Sequence, residues 1–318
     1  MTMLDAPTLP VRTEKMAFRI LGRVVASDIP LCGLPPAHND SRPVLEINRS
    51  GVPPQSRPEW PPFVQFEDAF GLHVHARNIG EFHISPDGAR IDYALAPSAD
   101  GPDVQYLLTG PVISLALQQQ GAVLLHGAAI AHGHGAFGFA GPHAAGKSTL
   151  AAAFAEAGAV VLTDDVLPLR IGESAVMAQQ SVPWMKLRED SLEALRRDSD
   201  ELNLVWSLAE KRKVPFSRKS PEGSEFPLTC IYLLDPRDAD CTTIRFVPLM
   251  HSEAALGVFS NTYAAETLRG GRAIAALDAA SKIAETVPVR TISYYRSFEN
   301  LPAIRDAILR DAEELARA

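Results

Sequence analysis

The feature that most constrains the fold of this chain is a glycine-rich stretch that ends in lysine and serine. Residues 141–148 (GPHAAGKS) fit the pattern G-x-x-x-x-G-K-[ST], which joins the end of a strand to the start of a helix. In a chain of average composition, such a match arises by chance with a probability of roughly 1 %. A strand-like run precedes it, and an alanine-rich run follows at 148–157, before Gly158. The stretch therefore predicts a phosphate-binding loop, or P-loop.

The chemistry of this loop predicts which residues contact a nucleotide. Glycines allow backbone amides to surround phosphate groups, and the helix N-terminus adds partial positive charge. Lys147 is expected to reach the β- and γ-phosphates, and the Ser148 hydroxyl is expected to ligate Mg²⁺. We therefore expect ATP and Mg²⁺ as cofactors. The predicted nucleotide-binding residues are Gly141, Pro142, His143, Ala144, Ala145, Gly146, Lys147, Ser148 and Thr149.

Two adjacent carboxylates, Asp164 and Asp165, follow the first strand-like run after the loop helix, residues 159–163. One helix and one return strand separate them from Lys147, a length that brings them back beside the phosphates. Because neighbouring side chains at a strand end point in different directions, one carboxylate can serve the metal while the other faces the phosphate acceptor. An isolated Asp-Asp dipeptide is commonly a solvated turn, but its position after the P-loop favours a catalytic interpretation.

The segment before the loop indicates a different architecture from that of common P-loop proteins. Residues 123–131 and 136–140 are typical of strands and are joined by a short glycine-rich link, which predicts an antiparallel hairpin. In common P-loop proteins the loop lies in a βαβ unit of a parallel sheet. His126 lies in the first predicted strand, where both a hydrogen-bonded core histidine and a catalytic one are compatible with the pattern.

Composition and charge exclude several functional classes. The chain has 318 residues, of which 46 % are hydrophobic, and a net charge of −8. This balance argues against a broad nucleic-acid-binding face and against docking on anionic lipid. The longest apolar tract, 121–141, is interrupted by histidines and glycines, so it does not predict a membrane span. No signal peptide is visible and the three cysteines lack paired spacing, so we expect a cytoplasmic protein with reduced thiols.

Three regions are expected along the chain. Residues 1–15 are predicted to be a disordered leader. Residues 16–108 are predicted to form a small β-rich domain of short strands, the last at 104–108 (VQYLL), with nine prolines between positions 30 and 62. Residues 109–318 are predicted to form an α/β catalytic domain that opens with a helix at 109–120 and contains helices at 253–268 and 302–317.

The motif region resembles the catalytic domain of HPr kinase/phosphorylase. That family has a His-Gly pair in the strand before its P-loop, a GKS loop and an Asp-Asp pair after the loop helix; here these are His126-Gly127, Gly146–Ser148 and Asp164-Asp165. The resemblance implies that Asp165 is the general base, that His126 assists at the acceptor side and that Asp164 supports the metal, with Lys147 as the phosphate-binding lysine. It also implies a fold similar to that of phosphoenolpyruvate carboxykinase, with a mixed sheet and helices packed beside it.

The whole chain resembles HPr kinase-related proteins of bacterial gene clusters, including kinases that phosphorylate lasso peptide precursors. The segments LHGAAIA, GKSTL, TDDVLPL and VPWMKLREDSLEAL carry this resemblance. His143-Ala144 stand where relatives have Ser-Gly, and the C-terminal phosphorylase signature is absent. Arg212, in EKRKV, is a candidate for a charge-stabilising arginine, although the pattern favours a solvated face.

These observations predict an ATP-dependent kinase whose acceptor is a hydroxyl, foremost a serine of a peptide or protein. The β-rich domain is expected to be a packing or substrate-recognition module. Two alternatives stay open, a small-molecule kinase using the same site and a regulator that binds ATP without catalysis. Nucleic acid and membrane are not expected as partners, and homo-oligomerisation stays open.

Overall fold

The computed structural model describes residues 14–37, 42–54, 59–133, 135–195, 202–205, 210–216, 224–235 and 243–317. The predicted leader, 1–15, therefore lies outside the described residues except for its last two positions. Contacts along the chain divide it into two compact units, one comprising residues up to Ala122 together with 205–209 and the other comprising 123–204 and 210–318.

The first unit contains a seven-stranded sheet with the order β1-β2-β3-β7-β6-β5-β4. Strand β3 pairs in parallel with β2 and β7, whereas the remaining neighbours are antiparallel. This confirms the β-rich N-terminal region. The strands are β1 (Met16–Ile20), β2 (Arg23–Ser27), β3 (Leu45–Arg49), β4 (Phe63–Asp68), β5 (Gly71–Ala76), β6 (Gly80–Ile84) and β7 (Arg90–Leu95).

A helical segment follows this sheet, and it corrects the sequence prediction. It consists of α1 (Gly101–Leu107), a π-helical turn (Leu108–Val112) and α2 (Ile113–Gln119). Residues 104–108, predicted as a strand, are helical because Pro102 occupies the first turn, where its missing N–H costs nothing. Pro111 lies in the interior, at the π-helical turn that widens the helix locally. The predicted domain boundary at 108/109 falls inside this segment, all of which belongs to the first unit.

The second unit contains an eight-stranded mixed sheet, which confirms the mixed α/β architecture. Its main path is β10-β8-β11-β12-β15-β17-β16, and β9 pairs with both β8 and β15. Strand β9 is antiparallel to β8 but parallel to β15, which is in turn parallel to β17. The strands are β8 (Val123–His132), β9 (Gly135–Ala140), β10 (Val160–Thr163), β11 (Val166–Ile171), β12 (Val176–Gln179), β15 (Glu225–Leu234), β16 (Arg245–Pro248) and β17 (Val289–Ser293); β13 (Trp184–Arg188) and β14 (Lys211–Pro215) form a separate antiparallel pair.

Helices cover both faces of this mixed sheet. The helices are α3 (Lys147–Glu156), α4 (Glu189–Ala194), α5 (His251–Ser260), α6 (Gly270–Thr286) and α7 (Leu301–Arg317). On one face, Phe139 and Tyr232 of the sheet pack with Phe154 of α3 and Ile308 of α7. On the other face, aliphatic side chains of the sheet pack with α5 and α6. No helix in the described part of the chain combines the length and the apolar character needed to cross a membrane.

The helix predicted at 253–268 ends earlier than expected, because the residues after it pair with strand β8. Helix α5 stops at Ser260, because the chain then turns to join the edge of β8. The Asn261 carbonyl oxygen accepts a 2.7 Å hydrogen bond from the backbone N–H of His126, and Thr262 forms a bridge with Leu125. Helix α6 and strand β17 were not predicted, whereas α7 agrees with the helix predicted at 302–317.

Candidate active site

The loop between β9 and α3 has the backbone conformation that its glycines permit. Gly141 has a φ of +143° and Gly146 a φ of +97°, both in the region that disfavours other residues. A methyl group built on Gly141 would lie 3.0 Å from the carbonyl oxygen of Leu234. The close approach of the Leu234 backbone therefore also favours glycine at this position. Ala144 adopts a φ of +60° without that freedom. The predicted strand–loop–helix arrangement is confirmed.

Lys147 is the first residue of α3 and is only 6 % exposed. Its ammonium group donates hydrogen bonds to the carbonyl oxygens of Gly141, at 2.7 Å, and Pro142, at 2.9 Å. Burial lowers the pKa of Lys147 to about 8, although the carboxylates of Asp165 and Asp164 oppose this shift. The charge is therefore held inside the loop, where phosphate oxygens would meet it.

The sheet register places the acidic pair across β8 from the loop. Gly127 on β8 lies opposite Ala140, the last residue of β9, so His126 is level with the start of the loop. On the other side of β8, β10 and β11 pair with its two halves, and Asp164-Asp165 connects them. The backbone N–H of Gly127 donates to the Asp165 carbonyl oxygen at 3.1 Å. One central strand thus positions histidine, loop and carboxylates together.

Asp164 is buried, with 4 % of its surface exposed. Its Oδ2 accepts a 2.6 Å hydrogen bond from the backbone N–H of Lys186. Burial raises the pKa of Asp164, while the nearby Ser148 hydroxyl and the Lys186 N–H oppose the rise. Ser148 is thus close enough to act on the carboxylate, yet among the described residues Oδ1 has no hydrogen bond of normal geometry.

This unsatisfied oxygen allows a test of whether the site suits a magnesium ion. Mg²⁺ prefers oxygen ligands and is commonly bound by one or two carboxylates together with phosphates and water. Asp164 Oδ1 and the Ser148 hydroxyl supply two such oxygens at the entrance to the loop. The donor set fits Mg²⁺, with Asp164 and Ser148 as the residues that would hold it. Among the described residues, this site included, no group of three or more His, Cys, Asp or Glu side chains is arranged to hold a metal, so the remaining ligands would be phosphate oxygens and water.

Asp165 has different partners from its neighbour, as expected for adjacent carboxylates. Its Oδ2 accepts a 2.7 Å hydrogen bond from the Lys186 ammonium group, and its Oδ1 lies 3.5 Å from His126 Nδ1. Burial pushes its pKa upward, but the Lys186 charge and hydrogen bond, with smaller contributions from His126 and Lys211, hold the pKa at about 2. The side chain is 30 % exposed, so an ionised carboxylate is accessible from solvent.

His126 is one-third exposed and is directed toward Asp165. Burial lowers its pKa, the Asp165 carboxylate opposes this shift, and the charges of Lys147, His143 and Lys211 add to it. The imidazole is therefore neutral near pH 7. A neutral histidine beside an ionised aspartate can donate or accept a hydrogen bond without adding positive charge.

The other residues of the predicted loop have lesser contacts. His143 is exposed and contributes charge to the surroundings of His126. The Thr149 hydroxyl lies 3.0 Å from the Ser191 hydroxyl at α4. The guanidinium of Arg296 donates to the Ala144 carbonyl oxygen and so ties the loop to the segment after β17.

Sequence reasoning did not identify Lys186 as a site residue. It lies within a segment, VPWMKLREDSLEAL, that carried only a general resemblance. The available signal was a lysine between apolar residues, Met185 and Leu187, and in the structure the Lys186 side chain is only 12 % exposed. Buried lysines commonly have a carboxylate partner.

Arg212 was the candidate for a charge-stabilising arginine, but its contacts lie elsewhere. Its guanidinium pairs with Glu189 at 3.1 Å and donates to the Leu202 carbonyl oxygen. The neighbouring Lys211 instead acts electrostatically on Asp165 and Lys147. Successive residues of β14 point to opposite faces, which explains why only one of the two influences the site.

Comparison with known proteins adds one distant likeness. No family model matches the chain. No curated protein matches it either. Among solved structures, it is similar to the HPr(Ser) kinase/phosphatase from Coxiella burnetii, with 11 % sequence identity and a TM-score of 0.31, over 61 % of this chain and 99 % of that chain. A likeness at this TM-score carries no conclusion about the function of this chain.

Proposed function

We propose that this chain is an ATP- and Mg²⁺-dependent kinase that phosphorylates a hydroxyl group, foremost a serine of a peptide or protein. One observation carries the proposal: β8 brings an ionised, accessible carboxylate, Asp165, beside a P-loop whose lysine is Lys147. A site for binding alone needs the loop but not an ionised base next to it. The fold that the proposal implies is that of the phosphoenolpyruvate carboxykinase-like P-loop kinases.

The nucleotide would be held by groups of the loop and of α3. Backbone amides of residues 141–149 and the Lys147 ammonium would surround the phosphates, as the left-handed conformation of Gly146 allows. Ser148 and Asp164 would hold Mg²⁺. When bound, the metal ion supplies positive charge that neutralises the phosphate oxygens during transfer.

Asp165 would act as the base toward the acceptor. With a pKa of about 2 it is ionised near pH 7, so it can accept a hydrogen bond from the acceptor hydroxyl. The acceptor oxygen then forms its bond to the γ-phosphorus, the bond between phosphorus and the ADP oxygen breaks, and the hydroxyl proton passes to Asp165. His126 would orient the acceptor oxygen, because its imidazole lies beside Oδ1 of Asp165, the carboxylate oxygen that the Lys186 ammonium does not bind.

Lys186 would fix the orientation of the two carboxylates, Asp164 and Asp165. Its ammonium holds Oδ2 of Asp165 and its backbone N–H holds Oδ2 of Asp164. One residue therefore fixes both carboxylates and leaves Asp165 Oδ1 directed toward His126. Fixed orientation of catalytic groups lowers the barrier because it avoids reorganisation during reaction.

A peptide acceptor is favoured by the first unit of the chain. Strand β4 lies at the end of its sheet, so one side of the strand has main-chain groups without a partner strand in the sheet. An extended peptide can add to such an edge through backbone hydrogen bonds. In the proposal the first unit is accordingly a recognition module for the substrate.

The test combines an acceptor screen with one matched pair of variants. The full chain is incubated with ATP and Mg²⁺ and either a library of serine-containing peptides or a panel of small hydroxyl compounds. Mass spectrometry should detect a gain of about 80 Da on a peptide serine. Asp165→Asn should lower the transfer rate by roughly 10²–10⁴-fold while ATP binding is kept. The control, Asp306→Asn, removes a carboxylate on α7 that is half exposed and should leave the rate unchanged.

Each other outcome has a defined meaning. Phosphorylation of a small compound but of no peptide would establish the small-molecule kinase. ATP binding without transfer to any acceptor would favour the regulator. Normal turnover by Asp165→Asn would refute the assignment of the base.

A further inference from the structure

A cavity of about 550 Å³ lies in the second unit beside α7. Strand β16, the segment that follows β17 and one side of α7 line it. Its aromatic lining comprises Phe246, Tyr294 and Tyr295, and its polar lining includes Asn300 and Arg310. Pockets for small ligands commonly measure about 300–1,000 Å³ and combine aromatic walls with a few polar groups. The cavity has the size and the chemistry of such a pocket.

The cavity adjoins the P-loop through the segment that follows β17. A methyl group built on Gly146 would lie 3.6 Å from the Tyr294 hydroxyl oxygen. Two residues later, Arg296 donates a hydrogen bond to the Ala144 carbonyl oxygen. Tyr294 thus lines the cavity and also lies next to the end of the loop.

Sheet topology explains this proximity. Strand β15 pairs in parallel with both β9 and β17, so the carboxyl ends of the three strands lie at one edge of the sheet. The P-loop follows β9 and the cavity-lining segment follows β17. In α/β proteins, ligands bind in the crevice outside the carboxyl ends of parallel strands.

The position of the catalytic groups fixes the direction in which ATP would lie. His126 and Asp165 are on the β8 side of β9, so the γ-phosphate must be at that side. The remainder of an extended nucleotide then points to the other side of β9, toward β15 and β17. The cavity lies on that side.

We propose that this cavity binds the nucleoside part of ATP; the inference rests on the proposed function only in taking ATP as the ligand. Tyr295 is 54 % exposed and offers a ring face on which a purine can stack. Asn300 and Arg310 offer hydrogen-bonding groups to the base and ribose. Both oxygens of Asp311, in the cavity wall, are already engaged by Tyr232 at 2.9 Å and Arg290 at 2.8 Å, so this buried carboxylate is not free to bind a cation.

The experiment compares two probes, ATP and inorganic tripolyphosphate, which carries the phosphates without the nucleoside. Binding to the full chain is measured by calorimetry for two cavity variants. Tyr295→Ala removes the stacking ring, and Ala303→Trp fills the cavity from an exposed position on α7. The matched controls are Phe298→Ala, which removes an exposed aromatic ring from the same segment, and Glu313→Trp, on the exposed side of α7.

Both cavity variants should weaken ATP binding by at least about five-fold and leave tripolyphosphate binding unchanged. The controls should change neither. Equal weakening for both probes would mean that the variants disturb the loop, and unchanged ATP binding would mean that the nucleoside lies elsewhere; either result overturns the proposal. If the cavity variants weaken the binding of ATP but not of tripolyphosphate, and the wild type transfers phosphate to no acceptor, the proposed kinase activity is refuted and the proposed nucleoside site is supported.

Discussion

Replacing Lys186 with methionine tests how much the ion pair between Lys186 and Asp165 contributes to the free energy of unfolding. Methionine keeps the length and apolar stem of lysine but removes the charge. The pair lies within 2.7 Å, with side-chain exposures of 12 % for Lys186 and 30 % for Asp165. After the substitution, the carboxylate would keep its partly desolvated position without its main cationic partner.

The pKa of Asp165 gives the size of the effect. The pKa falls from 3.8 to about 2 against the opposing influence of burial, and this shift corresponds to about 2 kcal/mol. Because the folded-state pKa of an acid is depressed, this contribution is full above pH 3.8 and is lost as the pH falls toward 2. At pH 7 we therefore expect Lys186→Met to lower the free energy of unfolding by about 2 kcal/mol.

The assay is a double-mutant cycle on urea unfolding at pH 7, followed by circular dichroism and by tryptophan fluorescence. In the Asp165→Asn background, Lys186→Met should cost much less, which gives a coupling of about 2 kcal/mol. The control is Lys213→Met, at the residue opposite Lys186 on β14, whose ammonium lies over the Trp184 ring. Additivity of Lys186→Met and Asp165→Asn to within about 0.5 kcal/mol would refute the coupling.

Two further predictions concern the loop itself. Because burial lowers the pKa of Lys147 to about 8, the free protein loses the ammonium proton above that pH, so ATP affinity should fall up to ten-fold per pH unit there; calorimetry across pH 7–10 should show a flat profile for Lys147→Arg. Because Ala144 has a φ of +60°, Ala144→Gly should raise the free energy of unfolding by about 0.5–1 kcal/mol. Ala145→Gly, at a buried position without positive φ, should lower it, and the opposite order in urea unfolding would contradict the strain.

The strand–loop–helix around the P-loop was predictable because each of its constraints is local. Gly141 and Gly146 are needed for backbone angles and close approach within the loop, and Gly158 has the positive φ that ends α3. The hairpin before the loop was likewise indicated by two apolar runs and a short link. A sequence records such requirements at fixed spacing, so the placement of Asp165 after one helix and one strand could also be inferred.

Contacts between distant segments explain what the sequence did not disclose. Lys186 contacts Asp165 because β13 lies against the β10–β11 turn, where the Lys186 backbone N–H and ammonium donate to Asp164 and Asp165. No spacing rule in the sequence links Lys186 to Asp165. Helix α5 ends at Ser260 because Asn261 is recruited to the backbone of His126, an interaction that overrides local helix propensity. The cavity has the same origin, since Tyr294 and Gly146 become neighbours through the parallel pairing of β9, β15 and β17. The residues that hold and orient Asp165 and His126 are therefore identified by the sheet order, whereas the groups proposed to contact phosphate are identified by motif.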